Sequence, residues 1–216
     1  MHIPDGFISG PINLACAAVA VGAIAFSLAR IRSTLAEHQV PLLGMTAAFV
    51  FAAQMLNFPV AGGTSGHFLG ATFALVLLGP WAACLVLSLV LIVQCLLFAD
   101  GGLTALGTNI INRGVVGVVV PALLLGLLRR ILPRTRGASL ASIGVAAWLS
   151  VLSASTACAL QLGFSGHPIG PVLTAMLGVH AVIGIGEALI TVAVASSVLA
   201  ARPELLPDLR HAEATP

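Results

Sequence analysis

Met1 and His2 offer three nitrogens to a single metal ion: the free α-amino group, the His2 backbone amide and the His2 ring. Together they can close fused five- and six-membered chelate rings, and a distant imidazole can complete a square of four nitrogens. Tetragonal nitrogen sites suit Ni(II), Cu(II) and similar ions. The arrangement requires a chain that begins at Met1, and Met1 is expected to be retained because His2 is too bulky for removal of the initiator Met. His67, at the end of Gly62-Gly63-Thr64-Ser65-Gly66-His67, is the candidate distant imidazole, and its three glycines let the backbone approach a ligand closely. Pro4 stiffens the tail beyond the chelating pair, while Gly6 and Gly10 allow it to turn into the protein. An amide nitrogen ligates only when deprotonated and an imidazole only when neutral, so binding should release protons and weaken in acid. Ligand rings are usually oriented by further acceptors. Asp5 and Asp100 are the nearest carboxylate candidates, though Asp100 equally suits a turn in Asp100-Gly101-Gly102.

These residues must be positioned inside a membrane. Of 216 residues, 59% are hydrophobic and only 7% charged, with a mean hydropathy of +1.11. A soluble domain carries roughly 25% charged residues, so this composition cannot build a water-solvated surface. All nine basic residues are Arg, which excludes a Walker A lysine and Schiff-base chemistry. Nucleotide hydrolysis must then belong to another subunit. Cys16, Cys84, Cys95 and Cys158 each sit in an apolar stretch, as small buried hydrophobes do, and their spacing gives neither a zinc site nor a disulfide framework.

Hydropathy and Gly/Pro punctuation divide the chain into seven candidate spans, at about residues 12–29, 41–56, 68–78, 81–98, 107–128, 138–162 and 171–200. The organisation expected is one all-α integral membrane domain over residues 1–216. It comprises a tail (1–10), a seven-helix bundle (11–200) and a short end segment (201–216). Cytoplasmic loops collect Arg and Lys. Arg30 and Arg32 follow the first span, Arg129, Arg130, Arg134 and Arg136 the fifth, and Arg202 and Arg210 the seventh, all on one side. The N-terminus is therefore expected outside with the loops holding His67, Asp100 and His167, and the C-terminus in the cytoplasm. Arg113, near the outer end of the fifth span, is the exception. The first segment does not read as a cleaved signal peptide, because its basic residues follow its apolar core instead of preceding it.

His180 and Glu187, seven residues apart, share a face of the last span. Ionisable residues within a membrane are functional candidates by default; here a packing or coupling role is favoured, with an interhelical hydrogen bond to Arg113 or Asn109 as the structural form. Ser165-Gly166-His167 echoes Ser65-Gly66-His67 and marks either a metal access point or a Gly-rich helix start. His38 and His211 fall on the cytoplasmic side, where solvation explains them. The small pairs Ala18/Gly22 and Ala25/Ala29 in the first span permit close helix contact.

Four segments carry a resemblance: Met-His-Ile-Pro-Asp-Gly-Phe at 1–7, Ala-Gly-Gly-Thr-Ser-Gly-His-Phe-Leu-Gly at 61–70, Leu-Phe-Ala-Asp-Gly-Gly-Leu-Thr-Ala-Leu-Gly at 97–107 and His-Ala-Val-Ile-Gly-Ile-Gly-Glu-Ala-Leu-Ile-Thr at 180–191. Over essentially its whole length the chain resembles the NikM/CbiM family, the substrate-capture (S) components of energy-coupling-factor (ECF) importers for nickel and cobalt. The resemblance implies a seven-helix S component whose extra N-terminal helix plugs its tail into the metal site. It implies ligation by the Met1 amine, the His2 amide and ring, and His67. The implied partners are a transmembrane coupling (T) subunit, two ATPase (A) subunits and a small accessory membrane subunit, in a bacterial or archaeal cytoplasmic membrane. Pro4-Asp5 looks more like the nickel branch of the family than the cobalt branch. No cofactor and no nucleic-acid partner is expected; the ion is cargo, and the same four nitrogens accept Ni(II) and Co(II).

Two rivals remain at this level. Gly63-Thr64-Ser65-Gly66 with His180 could form the nucleophile and base of a rhomboid-type intramembrane serine protease, but the chelate and the other motifs would then have no purpose. A stand-alone metal carrier would support uptake without an ATPase. The favoured reading is a non-catalytic capture subunit.

Overall fold

The computed structural model describes residues 1–33, 39–60, 64–133 and 135–206. His38, His211, Arg134, Arg210, Gly62 and Gly63 lie outside the described residues. Seven helices follow the tail: α1 Gly10–Arg32, α2 Val40–Gln54, α3 Ala71–Leu78, α4 Pro80–Phe98, α5 Leu106–Ile131, α6 Arg136–Phe164 and α7 Ile169–Ala201. Five of them (α1, α4, α5, α6 and α7) are long and apolar enough to cross a membrane, α2 is a shorter apolar helix, and α3 has only 8 residues. The molecule is thus an all-α, multi-pass membrane protein. Each of the seven expected spans corresponds to a helix, with ends displaced by no more than three residues.

Local chemistry explains most boundaries. A proline lies in the first turn of α1, α2 and α4, where its missing N–H costs nothing, and arginines occupy the last turns of α1 and α5, where cations suit the exposed carbonyls. Gly79, with φ 78° and ψ 171°, and then Pro80 separate α3 from α4. The Thr135 hydroxyl accepts from Ala138 N at 3.2 Å and caps α6. Within α5 the turns loosen into a π-helical segment, Ile111–Val116. Further along, Pro121 cannot donate to the Gly117 carbonyl, and the Ser150 hydroxyl of α6 does so instead at 2.6 Å.

Between α2 and α3 lies an element the hydropathy did not reveal. An antiparallel hairpin of β1 (Asn57–Val60) and β2 (Thr64–His67) pairs Asn57 with His67 and Pro59 with Ser65. It rests on α7: a Cβ at Gly66 would meet Ile183 Cδ1 at 2.7 Å. The third span, expected from residue 68, starts as a helix only at Ala71, because Phe68-Leu69-Gly70 continues from the strand and Gly70 turns at φ +78°. Residues 71–75 are wholly buried, and α3 contacts α2, α4, α5, α6 and α7. By contrast α1 is peripheral, burying only Ala20 and Ser27 as it packs on α4 and the start of α5. The small pairs Ala18/Gly22 and Ala25/Ala29 are exposed. Ala17 instead packs against α5: its Cα lies 2.4 Å from where a Gly107 Cβ would sit.

Candidate metal centre

The tail enters the bundle as an extended plug. Met1 and Ile3 are fully buried and His2 is nearly so. The Asn109 side chain reads both sides of residue 3, accepting from Ile3 N at 2.9 Å and donating to Ile3 O at 3.2 Å, while Gly102 N donates to the same carbonyl at 2.8 Å. Gly6, at φ +84°, makes the expected turn, whereas Gly10 simply begins α1. Beyond the turn, His167 Nε2 lies 2.9 Å from the Phe7 carbonyl with the two rings stacked, and Ser9 N donates to the Ser165 hydroxyl at 3.1 Å. Ser165-Gly166-His167 thus clasps the tail, and His167 is spent on Phe7.

Inside, the three N-terminal nitrogens converge. The Met1 amine donates to the Ser65 carbonyl and lies 3.2 Å from the Ser65 hydroxyl; His2 N lies 3.1 Å and His2 Nδ1 3.4 Å from that same oxygen. One hydroxyl therefore marks the centre of the chelate, with two donors directed at it and its own hydrogen free for Nδ1. An ion seated there, at metal–nitrogen distances of about 2 Å, needs these groups to close in by about 1 Å and the hydroxyl to give way. The His67 ring is 4.6 Å from the His2 ring, centroid to centroid, and is also buried. Among the described residues no three His, Cys, Asp or Glu side chains cluster as a metal site. Backbone nitrogen is the donor type that this convergence adds.

Hydrogen bonds set the tautomers. His2 Nε2 donates to Gln94 Oε1 at 2.9 Å, leaving the Nδ1 lone pair for the six-membered chelate ring. His67 Nδ1 donates to the Phe68 carbonyl at 2.6 Å, leaving the Nε2 lone pair available to accept. Burial first, and the nearby Arg113 charge next, lower both the Met1 amine and the His2 ring well below their ordinary values. Burial likewise lowers His67. Burial thus favours the neutral forms of all three groups, the forms in which nitrogen can ligate.

The two carboxylate candidates diverge. Asp100 Oδ1 lies 3.2 Å from His2 Nδ1, the ring nitrogen that faces Ser65, and not from Nε2, which faces Gln94. Asp100 is half-buried, which raises its carboxyl above the ordinary range. Asp5 does not reach the His2 or His67 ring; it accepts from Leu103 N at 3.2 Å and from the N–H and hydroxyl of Thr104 at 2.7 and 2.5 Å. The Thr104 hydroxyl bond, followed by its backbone bond, lowers the Asp5 carboxyl. Asp5 is thus a latch on the 99–105 loop.

Sequence reasoning missed Gln94, Ser65, Gln54 and the Asn109 clasp, and set Arg113 aside. Arg113 NH1 lies 3.0 Å from His67 Nε2 and 3.3 Å from Gln54 Oε1, and Gln54 Nε2 donates to the Leu69 carbonyl at 2.7 Å. The hydrogen bond expected between Glu187 or His180 and Arg113 or Asn109 is replaced by others. Glu187 accepts from Leu69 N at 2.5 Å and Gly70 N at 2.8 Å, anchoring the stretch after His67 to α7. His180 Nδ1 donates to Met176 O at 2.7 Å within its own helix.

Comparison with known proteins agrees with this architecture. Residues 2–205 match the family model described as CbiM, cobalt uptake substrate-specific transmembrane region. A putative metal transport protein of Haloquadratum walsbyi is 42% identical over 213 residues, covering 95% of this chain and 93% of that one. A putative fused nickel transport protein NikMN of Archaeoglobus fulgidus is 37% identical over 209 residues, with 95% of this chain matching 68% of the fused protein. The crystal structure of a truncated transition metal transporter superposes with a TM-score of 0.86 at 30% identity, covering 92% of this chain and 98% of that one. On the family match and these identities, the chain belongs to the CbiM family.

Proposed function

We propose that this protein is the non-catalytic capture subunit of an ATP-driven ECF importer, taking Ni(II) or Co(II) from the external side. The carrying observation is the convergence of Met1 N, His2 N and His2 Nδ1 on one point at 3.2, 3.1 and 3.4 Å, with the buried His67 ring beside it. The family description and the nickel- and metal-transport names of the relatives support the same reading. The Met1 amine, the ionised His2 amide, His2 Nδ1 and His67 Nε2 form the four-nitrogen square. The tail end of the bundle faces outward. The end bearing Arg30, Arg32, Arg129, Arg130, Arg136 and Arg202 faces the cytoplasm, as arginine placement requires. The membrane is the bacterial or archaeal cytoplasmic membrane, and the partners are a T subunit, two A subunits and a small accessory membrane subunit.

The protease reading gains nothing. The Ser65 hydroxyl is engaged by the Met1 amine, the His2 amide and His2 Nδ1, and His180 turns to Met176. Calorimetric titration of the purified protein with Ni(II) and Co(II), beside a variant with one residue added before Met1, tests the assignment. One-to-one binding that is lost on extension supports it. Undiminished binding after extension overturns it.

A further inference from the structure

We infer that Arg113 determines ion specificity: it is an internal cation seated on the fourth ligand, which an arriving ion must displace. The inference rests on the metal-capture reading above. Arg113 is wholly buried, within the π-helical segment Ile111–Val116 of α5, and such segments recur at functional sites. A buried charge ordinarily holds a hydrogen-bonded partner of opposite sign. Here, among the described residues, no carboxylate pairs with the guanidinium, and Arg113 Nε and NH2 have no hydrogen-bond partner. Its NH1 goes instead to His67 Nε2 at 3.0 Å, with Gln54 Oε1 at 3.3 Å.

That contact is in direct competition with the cargo. Because His67 Nδ1 is committed to the Phe68 carbonyl, Nε2 has the ring's single available lone pair. The guanidinium and the ion cannot hold it together. Arg113 remains a positive neighbour after displacement, since it is rooted in α5 and surrounded by protein.

Charge then sorts the ions. An ion that ionises the His2 amide forms a complex of net charge +1, whereas one that leaves the amide intact keeps +2. Coulomb repulsion scales with that charge, so the guanidinium disfavours the second class about twice as strongly in free energy. Ni(II) ionises a peptide amide in such a chelate; Zn(II) does so poorly. Arg113 thereby favours amide-ionising ions, a selectivity that ligand identity alone does not supply.

The test uses the full chain purified in detergent, titrated with Ni(II) and with Zn(II). Arg113→Gln removes the charge and leaves a polar side chain at the position. If it tightens Ni(II) about tenfold, Zn(II) should tighten by about the square of that factor, and the Ni/Zn affinity ratio should fall about tenfold. Arg113→Lys, which keeps the charge, should keep the ratio. Equal gains for both ions, or weaker Ni(II) binding in Arg113→Gln, would overturn the inference. A readout independent of any variant is the Arg113 Nε–H resonance of 15N-arginine-labelled wild-type protein. It should shift with one equivalent of Ni(II), and an unmoved resonance overturns displacement. Wild-type protein that binds no ion, or binds regardless of an N-terminal extension, would sink the capture reading itself. Normal wild-type binding with an unaltered ratio would sink only the role of Arg113.

Discussion

Replacing Gly102 with Ala puts a methyl carbon 2.3 Å from Asp5 N, 2.6 Å from Asp5 Oδ1 and 2.6 Å from Pro4 C. Two of those atoms are backbone, so no rotamer change relieves the collision, and the tail and the 99–105 loop must separate. Four hydrogen bonds span that seam: Gly102 N to Ile3 O, and those from Leu103 N, Thr104 N and the Thr104 hydroxyl to Asp5. At about 0.5–1.5 kcal/mol each, with the exposed Asp5 bonds at the low end, they hold the tail by roughly 3 kcal/mol. If the tail supplies three of the four ligand nitrogens, as proposed, Ni(II) affinity in Gly102→Ala should fall by about 100-fold. Gly126→Ala is the control, because nothing lies within 4 Å of its added carbon. Calorimetry on both variants, with circular dichroism to confirm equal helix content, decides the matter. Wild-type affinity in a folded Gly102→Ala protein would refute the premise that the 99–105 loop holds the chelate in place.

Proton release is a second quantity fixed by the burial of the ligands. Burial lowers the Met1 amine and the rings of His2 and His67 below their ordinary values of 8.0 and 6.5, which favours their neutral forms and leaves the amide as the main proton source. Titrations in buffers of different ionisation enthalpy should report about one proton per ion, whereas a count near two would show a charged amine. Because these bases carry fewer protons folded than unfolded, stability should rise with pH through 6.5 and 8.0. Gln94→Leu removes the acceptor on His2 Nε2 and should weaken Ni(II) binding about 10–100-fold; a change within experimental error would show that the ring needs no such brace. Glu187→Gln sets an amide that can accept only at its oxygen against two buried N–H donors, Leu69 and Gly70. Thermal denaturation should show a loss of about 1–3 kcal/mol, and an unchanged transition would count against Glu187 as the anchor of the loop.

The seven helices were legible because each apolar run is closed by Gly, Pro or Arg, signals that act through backbone geometry and membrane electrostatics alone. The hairpin was not, since Asn57-Phe58-Pro59-Val60 and Thr64-Ser65-Gly66-His67 lack the alternation of a half-buried strand and are held by contacts such as Gly66 against Ile183. Met1, His2 and His67, picked out by donor chemistry, do lie together in the structure. Their supports came from distant helices, Gln94 on α4 and Asn109 and Arg113 on α5, and no spacing rule connects those to residue 2. A usable signal existed, since polar side chains within apolar spans seldom lack a task. It was applied to His180 and Glu187 and not to Gln94. Asp5, three residues from His2 in sequence, bonds Thr104, a partner that no spacing rule connects to it.

Three of the four proposed ligand nitrogens sit at the end of a nine-residue leash that starts where α1 begins, at Gly10. Fully extended, such a leash reaches about 30 Å. A tail that leaves its slot therefore stays within a small hemisphere, at an effective concentration on the order of 10 mM. A separate Met-His peptide would have to be supplied at comparable concentration to compete for the same slot. Letting go of the ion thus need not mean losing the chelator: the tail can withdraw, discharge and return within one molecule, and the sparsely buried α1 serves as the post to which it is tied.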